Sequence, residues 1–132
     1  MLGIMAEAVE MILMKQWASY MAYAVWVVNA DGDLIYFNEK AAPLIGRSYD
    51  QTGDINANEI ATMFEVTDVD GSPLVRPPIL VALVDRVAMT QRIRFRGLDG
   101  HWRMIDTTAF PISGQDERHL GAVVLFWEVL PA

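Results

Sequence analysis

Residues 24–38 read AVWVVNADGDLIYFN, and this stretch decides the fold. β-Branched and aromatic residues fill 24–28 and 34–37, and between them lies the turn sequence Asn29–Asp33 with its Asp-Gly pair. Two runs of strand-forming residues joined by such a turn predict a β-hairpin. The rest of the chain can be placed relative to this hairpin.

The residues on either side of the hairpin predict further helices and strands. Asn38 is placed to cap a short helix over 39–45, which Gly46 would end in the left-handed conformation. Residues 6–23 lack Gly and Pro, so they predict an N-terminal helix. The other expected elements are helical turns over 59–64, a largely buried helix over 77–87, and strands over 89–96, 101–110 and 120–129. This order predicts an α+β fold, in which an antiparallel sheet carries short helices on one face.

The composition restricts the classes of protein to which the chain can belong. Its 132 residues suit a single domain, and its 53% hydrophobic content supplies a core and leaves apolar surface for an interface or a cavity. A formal net charge of -7 repels phosphate backbones, so no nucleic-acid partner is expected. The chain has no Cys, which excludes disulfides and thiolate chemistry. No apolar run reaches the roughly 18 residues of a membrane span, so we expect a soluble cytoplasmic protein without a membrane partner.

Several turn, cap and core residues follow one another along the chain in a specific order. They are Val27 to Gly32, Leu34 to Asn38, Ala41, Ala42, Gly46, Asp70 to Leu74, Pro78, Ala82, Leu83, Asp99, Gly100, Pro111, Ile112 and Gly121. In this order they resemble a PAS domain, of the subgroup found in many bacterial signalling proteins, over about residues 24–129. The resemblance implies a five-stranded antiparallel sheet that cups a small hydrophobic cavity beneath short helices. It also implies an N-terminal helix that often mediates dimers, so we divide the chain into that helix, residues 1–23, for dimerisation or capping, and a PAS domain, residues 24–132.

The same resemblance sets expectations for a cofactor. Haem-binding PAS members that use a proximal His place it in the long buried helix, and residues 76–87 contain no His, so a haem-binding sensor is a less favoured alternative that would need a different axial ligand. Flavin photoreceptor members need a reactive Cys, so covalent flavin-cysteinyl chemistry is not expected in a chain without one. The expected ligand is a small apolar or aromatic molecule, of which a fatty acid is one example.

A register for the second hairpin gives a candidate cavity. If residues 97–100 form its turn, Phe95 faces Trp102 and Gln91 faces Asp106. Gln91 and Asp106 would then hold the polar end of a ligand, or else simply satisfy each other. The predicted cavity residues are Gln91, Ile93, Phe95, Trp102, Met104 and Asp106 from the strands, Leu80, Leu83 and Val84 from the buried helix, and Tyr36.

The opposite face of that hairpin predicts an interface or a solvated surface. The same register clusters Arg92, Arg94, Arg96, His101 and Arg103, and Glu7 and Glu10 of the N-terminal helix are candidate counter-charges. The N-terminal helix is apolar around much of its circumference, which indicates packing on its own domain and on a second copy. The predicted interface residues are Met5, Val9, Ile12, Trp17, Arg94 and Arg103.

These features predict a non-catalytic, homodimeric sensor module that signals to an effector in cis or in trans. A ligand-free interaction module, with the cavity filled by its own side chains, is the alternative from the same class. An enzyme would need Asp106 as a buried general base beside Tyr36, in the manner of a small isomerase. His101 and His119 lie at predicted turn edges, so no metal site is expected.

Overall fold

A computed structural model describes residues 8–130, and within them six strands form one antiparallel sheet in the order β2-β1-β6-β5-β4-β3. The strands are β1 Ala24–Asn29, β2 Leu34–Phe37, β3 Glu65–Thr67, β4 Met89–Arg96, β5 Trp102–Ser113 and β6 His119–Glu128. The predicted α+β fold with an antiparallel sheet and an N-terminal helix is confirmed. The short edge strand β3 is one strand more than the five expected, because residues 65–67, for which no strand was predicted, pair with β4.

The helices are short apart from the first. They are α1 Val9–Tyr20, α2 Ala42–Ile45, α3 Tyr49–Thr52, α4 Ala57–Met63 and α5 Pro78–Leu80, which continues as a π-helical turn over Val81–Asp85. Gly46 ends α2 with a φ of 100°, as predicted. Within residues 8–130, no helix has both the length and the apolar character needed to cross a membrane.

The prediction of a largely buried helix over 77–87 is wrong in both the length and the burial of the helix. Arg86 adopts a left-handed conformation with a φ of 59°, which ends the helical segment after Asp85. Leu80 and Val84 are 40% and 63% exposed, while Ala82 is fully buried. The segment is only partly buried, because Ala82 packs into the hydrophobic core whereas Leu80 and Val84 stay accessible to solvent.

The two faces of the sheet carry separate hydrophobic cores. On the inner face, residues of β1, β2 and β4–β6 pack under α2, α4 and α5, with Leu34, Phe37 and Ile45 fully buried. On the outer face, α1 buries Met11 and Ala18 against the sheet. The alternation of β1 therefore directs side chains to a different core at each successive residue.

Asn38 makes the predicted hydrogen bond to the amide three residues on, but α2 begins only at Ala42, and the main role of Asn38 is to connect α1 to the sheet. The cap position of α2 is Ala41, which makes no side-chain capping bond. The buried Asn38 side chain accepts hydrogen bonds from Val25 N–H at 3.0 Å and Ala41 N–H at 3.1 Å. Its amide donates to the carbonyls of Ala18 at 2.9 Å and Tyr23 at 2.8 Å. One side chain thus holds the end of α1, the start of β1 and the turn before α2 together.

The β4–β5 register is shifted by one residue from the predicted register. Arg96 pairs with Trp102, so Phe95 lies opposite Arg103 and Arg92 lies opposite Asp106. The hairpin closes through a hydrogen bond of 3.3 Å from the residue 97 amide to the residue 101 carbonyl, which leaves a three-residue loop over 98–100. A shift of one residue moves every β5 side chain to the other face of the sheet.

Candidate functional site

A pocket of about 500 Å³ lies on the inner face of the sheet, under α4 and α5. Its lining comprises Trp26 and Val28 from β1, Ile93 and Phe95 from β4, Ile105 and Thr107 from β5, Val124 and Phe126 from β6, Ala57, Ile60, Ala61 and Phe64 at α4, Glu65 and Val66 from β3, Pro77, Pro78, Ile79, Leu80 and Leu83 at α5, and Asp31 and Gly32 from the first hairpin turn. The volume falls in the range of small-molecule sites, about 300–1,000 Å³.

Strand alternation and one helix cap build this lining. In β1, Trp26 and Val28 point into the pocket, while the alternate residues Val25 and Val27 face α1. At the other wall, Asn56 caps α4 by accepting a hydrogen bond of 2.9 Å from Glu59 N–H. The cap fixes the start of the helix that carries Ile60 and the following Phe64 over the sheet.

Aromatic rings form one continuous wall of the pocket. Trp26 and Phe64 meet edge to face with ring centroids 5.3 Å apart. Phe64 in turn stacks on Phe95 at 5.5 Å, with an angle of 21° between the ring planes. Such ring pairs contribute to stability beyond their buried area, so this wall is a firm apolar surface against which a flat or aliphatic molecule can pack.

The pocket contains few polar groups, and none of its described lining residues is Lys, Arg or His. Thr107 is buried, and its hydroxyl donates a hydrogen bond of 2.7 Å to the Gln91 carbonyl. Asp31 and Glu65 are exposed and border the pocket. Glu65 pairs with Arg96 across β3 and β4, and its carboxylate is 3.5 Å from the outward-facing guanidinium of Arg96. The interior is therefore apolar, and of the described lining residues Asp31 supplies the acidic side chain at the mouth.

The structure brings part of the predicted cavity together and separates the rest. Ile93, Phe95, Leu80 and Leu83 line the pocket, whereas Gln91, Trp102, Met104, Asp106, Val84 and Tyr36 do not. The predicted pairing of Gln91 with Asp106 is wrong, because Gln91 lies opposite Thr107. Whether the four lining residues bind a ligand stays a prediction.

Asp106 lies on the outer face of the sheet, away from the pocket. Its two carboxylate oxygens accept hydrogen bonds of 2.8 and 3.1 Å from Arg92. These hydrogen bonds and the charge of Arg92 lower the pKa of Asp106. A carboxylate that is paired with arginine and has a lowered pKa is unsuited to the role of buried base that the enzyme hypothesis gave it.

Tyr36 borders a second, smaller pocket of about 200 Å³, together with Tyr49 and Asp50. Its ring meets that of Tyr49 edge to face at 5.3 Å. Burial, followed by the negative charges of Glu39 and Asp50, raises the pKa of the Tyr36 hydroxyl. Tyr36 is therefore a neutral packing residue, separate from the main pocket.

The predicted arginine cluster is divided between the two faces, and its members have local partners. Arg103 faces inward and binds Asp99 at 2.8 Å, while Arg92, Arg94 and Arg96 face outward. The guanidinium of Arg94 lies 4.9 Å from the centre of the Trp102 ring. Within one chain Glu10 does not pair with this cluster, because its carboxylate lies 4.0 Å from Arg118, and a pairing with the helix of a second copy stays a prediction. Glu7 lies outside the described residues.

The side of α1 that faces away from the sheet is an exposed apolar stripe. The stripe consists of Val9, Ile12, Leu13, Trp17 and Tyr20. Three of the predicted interface residues belong to it, and Met5 lies outside the described residues. Their role in an interface stays a prediction.

The pocket residues that sequence reasoning missed include Trp26, Phe64, Ile105 and Thr107. Alternation within residues 24–29 could have placed Trp26 on the inner face. A three-residue loop ending at the left-handed Gly100 could have placed Ile105 and Thr107 there. No local signal shows that α4 folds over the sheet, so Phe64 could not be assigned in advance.

Comparison with known proteins identifies the architecture. No protein-family model matches the sequence, and no curated protein matches it. The structure is similar to a PAS domain from Colwellia psychrerythraea, with a TM-score of 0.65, 22% identity and coverage of 90% of this chain and 96% of that one. It is similar to a PAS domain from a two-component sensor histidine kinase, with a TM-score of 0.60, 14% identity and coverage of 91% and 96%. It is also similar to a LOV protein of Rhodobacter sphaeroides, with a TM-score of 0.70, 13% identity and coverage of 93% and 69%. The chain therefore has the fold of a PAS domain.

Proposed function

We propose that this chain is the sensor module of a signalling protein and that its pocket binds a small apolar or aromatic molecule. The observation that carries the proposal is the pocket of about 500 Å³ with its aromatic wall. A similar fold occurs in a two-component sensor histidine kinase, which supports a role in signalling. No catalytic role is proposed, since the pocket lining has no acid–base pair of the kind that the enzyme hypothesis required.

Strand β1 provides a direct route from the pocket to α1. Trp26 lines the pocket, whereas Val25 and Val27 belong to the core that packs against α1. Asn38 binds the amide of Val25 and the carbonyl of Ala18 at the end of α1. A molecule that displaces the Trp26 ring would therefore shift β1 and, through it, the position of α1. Such a shift needs a ligand that binds one arrangement more tightly than the other.

We further propose that the module is a homodimer formed through α1. The apolar stripe of α1 is solvent-exposed in the single chain, and a contiguous apolar patch is unfavourable in a soluble monomer. A second copy would bury the same stripe in a two-fold symmetric contact. Movement of α1 would then change the dimer, which an effector could detect.

A ligand-free interaction module is the second candidate, and the exposed stripe of α1 favours it equally. Native mass spectrometry of the purified full chain, with extraction of any co-purified small molecule, separates the two candidates. Calorimetry with decanol and naphthylmethanol, two uncharged probes of the pocket, should follow. Under our proposal at least one of the two alcohols binds, whereas an empty dimer that binds neither would favour the interaction module.

A pair of variants tests whether the alcohol binds in the pocket on the inner face of the sheet. Ala61 lies at the mouth of the pocket on α4, so Ala61→Trp should block entry and weaken binding of the alcohol at least tenfold. Thr62, the next residue of the same helix, is exposed and does not line the pocket, so Thr62→Trp should leave binding intact. Equal effects of the two substitutions would place the bound alcohol elsewhere.

A further inference from the structure

The charges around the pocket limit which head group its ligand can carry. The described lining residues include no basic one, and the one buried polar side chain among them, Thr107, already donates its hydroxyl proton to a backbone carbonyl. A carboxylate or phosphate in this pocket would lose its hydration without gaining a cation or a free donor, which is strongly unfavourable.

The two acidic lining residues, Asp31 and Glu65, differ in the partners of their carboxylates. Glu65 lies 3.5 Å from Arg96, which offsets its charge. The side chain of Asp31 has no hydrogen bond or ion pair to any of residues 8–130. Asp31 lies in the first hairpin turn beside Gly32, where both residues line the mouth. Asp31 is therefore placed to meet the polar end of a molecule whose apolar part fills the pocket.

We infer that the pocket selects apolar molecules that carry no negative charge, and that it prefers those with a positively charged amine over uncharged ones. This inference rests on the proposed function of the pocket. It disfavours fatty acids and phosphate-bearing cofactors as ligands, and it favours alkyl or aromatic amines. An exposed ion pair with Asp31 would add up to about fivefold in affinity.

The test compares matched probes that differ in the head group alone. Calorimetry at neutral pH and low salt would measure the binding of decanol, decylamine and decanoic acid to the full chain, and of the corresponding naphthyl alcohol, amine and acid. We expect the amine to bind up to about fivefold more tightly than the alcohol. We expect the acid to bind about two- to fivefold more weakly than the alcohol when its carboxylate stays hydrated at the mouth beside Asp31, and more weakly still when the carboxylate enters the apolar interior.

Two variants distinguish a local effect of the Asp31 charge from an effect of the protein's overall negative charge. Asp31→Asn should bring the affinity ratio of amine to alcohol to about 1, because it removes the unpaired charge. Asp116 is exposed and does not line the pocket, so Asp116→Asn, which removes the same charge elsewhere, should keep the wild-type ratio.

The outcomes distinguish this inference from the proposed function. An acid that binds as tightly as its alcohol, in a manner abolished by Ala61→Trp, overturns the inference and leaves the pocket as a binding site. An amine preference that survives Asp31→Asn overturns the role of Asp31. Failure of both alcohols to bind overturns the proposed function and this inference with it.

Discussion

Replacing Asn38 with Ala should destabilise the protein far more than an ordinary surface substitution. The buried side chain makes four hydrogen bonds, which join the end of α1, the start of β1 and the turn before α2. Alanine cannot replace any of them. The substitution therefore tests whether α1 is attached to the sheet through this residue.

The expected loss in the free energy of unfolding depends on which of the four hydrogen-bond partners of Asn38 keep another hydrogen bond. At about 1 kcal/mol net for each hydrogen bond, the loss has an upper value of about 4 kcal/mol. The Ala18 carbonyl keeps a hydrogen bond of 3.2 Å from Met21 N–H, and Ala41 N–H keeps one of 3.1 Å to the Asn38 carbonyl. The expected loss is therefore about 3 kcal/mol, a large part of the 5–15 kcal/mol that is roughly typical of whole domains.

Urea denaturation followed by circular dichroism measures this change in the free energy of unfolding. Asn56→Ala is the matched control, because it removes two exposed hydrogen bonds to Glu59, of 2.9 and 3.0 Å, at the start of α4 and should cost about 1 kcal/mol. A loss for Asn38→Ala no greater than that of the control would refute the assigned role of Asn38.

Three other substitutions test separate parts of the structure. The pKa of Asp99 is held well below its ordinary value, chiefly by the hydrogen bond from Arg103. A carboxylate with a lowered folded pKa stabilises the protein above its unfolded pKa, near 3.9, and the effect is lost as pH falls toward the folded value. The destabilisation by Asp99→Asn should thus be largest above about pH 5 and shrink below about pH 4, and a pH-independent effect in urea titrations would contradict this. A Cβ at Gly97 would lie 2.6 Å from a carbonyl oxygen of α2, so Gly97→Ala should lower the free energy of unfolding by about 1–3 kcal/mol, and no loss would argue against this close approach. Trp17→Glu should convert the proposed dimer to a monomer in light scattering, while Thr62→Glu, which adds the same charge at an exposed position of α4 outside the stripe, does not; a dimer that persists in Trp17→Glu would exclude the α1 interface.

Local chemistry explains why most elements could be predicted from the sequence. The first hairpin follows from two strand-forming runs and an Asp-Gly turn, and its loop is fixed by Asn29, whose side-chain oxygen accepts from the amides of Asp31 and Asp33 at 3.0 Å. The end of α2 follows from Gly46, which adopts the left-handed conformation that glycine favours. These signals lie within a few residues of the structure that they predict.

The cavity was harder to predict because one loop determines which face each β5 residue occupies. A four-residue turn over 97–100 would have placed Trp102 and Asp106 inside, but the loop has three residues, with Gly100 in the left-handed conformation at its end. Asp99 fixes this loop by accepting a hydrogen bond of 3.0 Å from His101 N–H. A single residue of loop length therefore exchanged the two faces of a whole strand.

The other wall of the pocket depends on tertiary placement. Residues 57–64 have no apolar pattern that shows where their helix packs, and Phe64 reaches the pocket because α4 crosses over β1 and β4. The exposed mouth residue Asp31 likewise reads as an ordinary turn residue in the sequence. The placement of these residues had to come from the structure.

The central claim, that the inner-face pocket holds a small apolar molecule, is tested most directly by NMR of isotope-labelled isoleucine methyl groups during titration with decanol and naphthylmethanol. Ile93 and Ile105 line the pocket, whereas Ile35 and Ile112 lie in the core on the other face of the sheet. The account predicts saturable shifts of the Ile93 and Ile105 methyl signals, with those of Ile35 and Ile112 moving much less. Saturable shifts confined to Ile35 and Ile112, or no saturable shift with either alcohol, would contradict it.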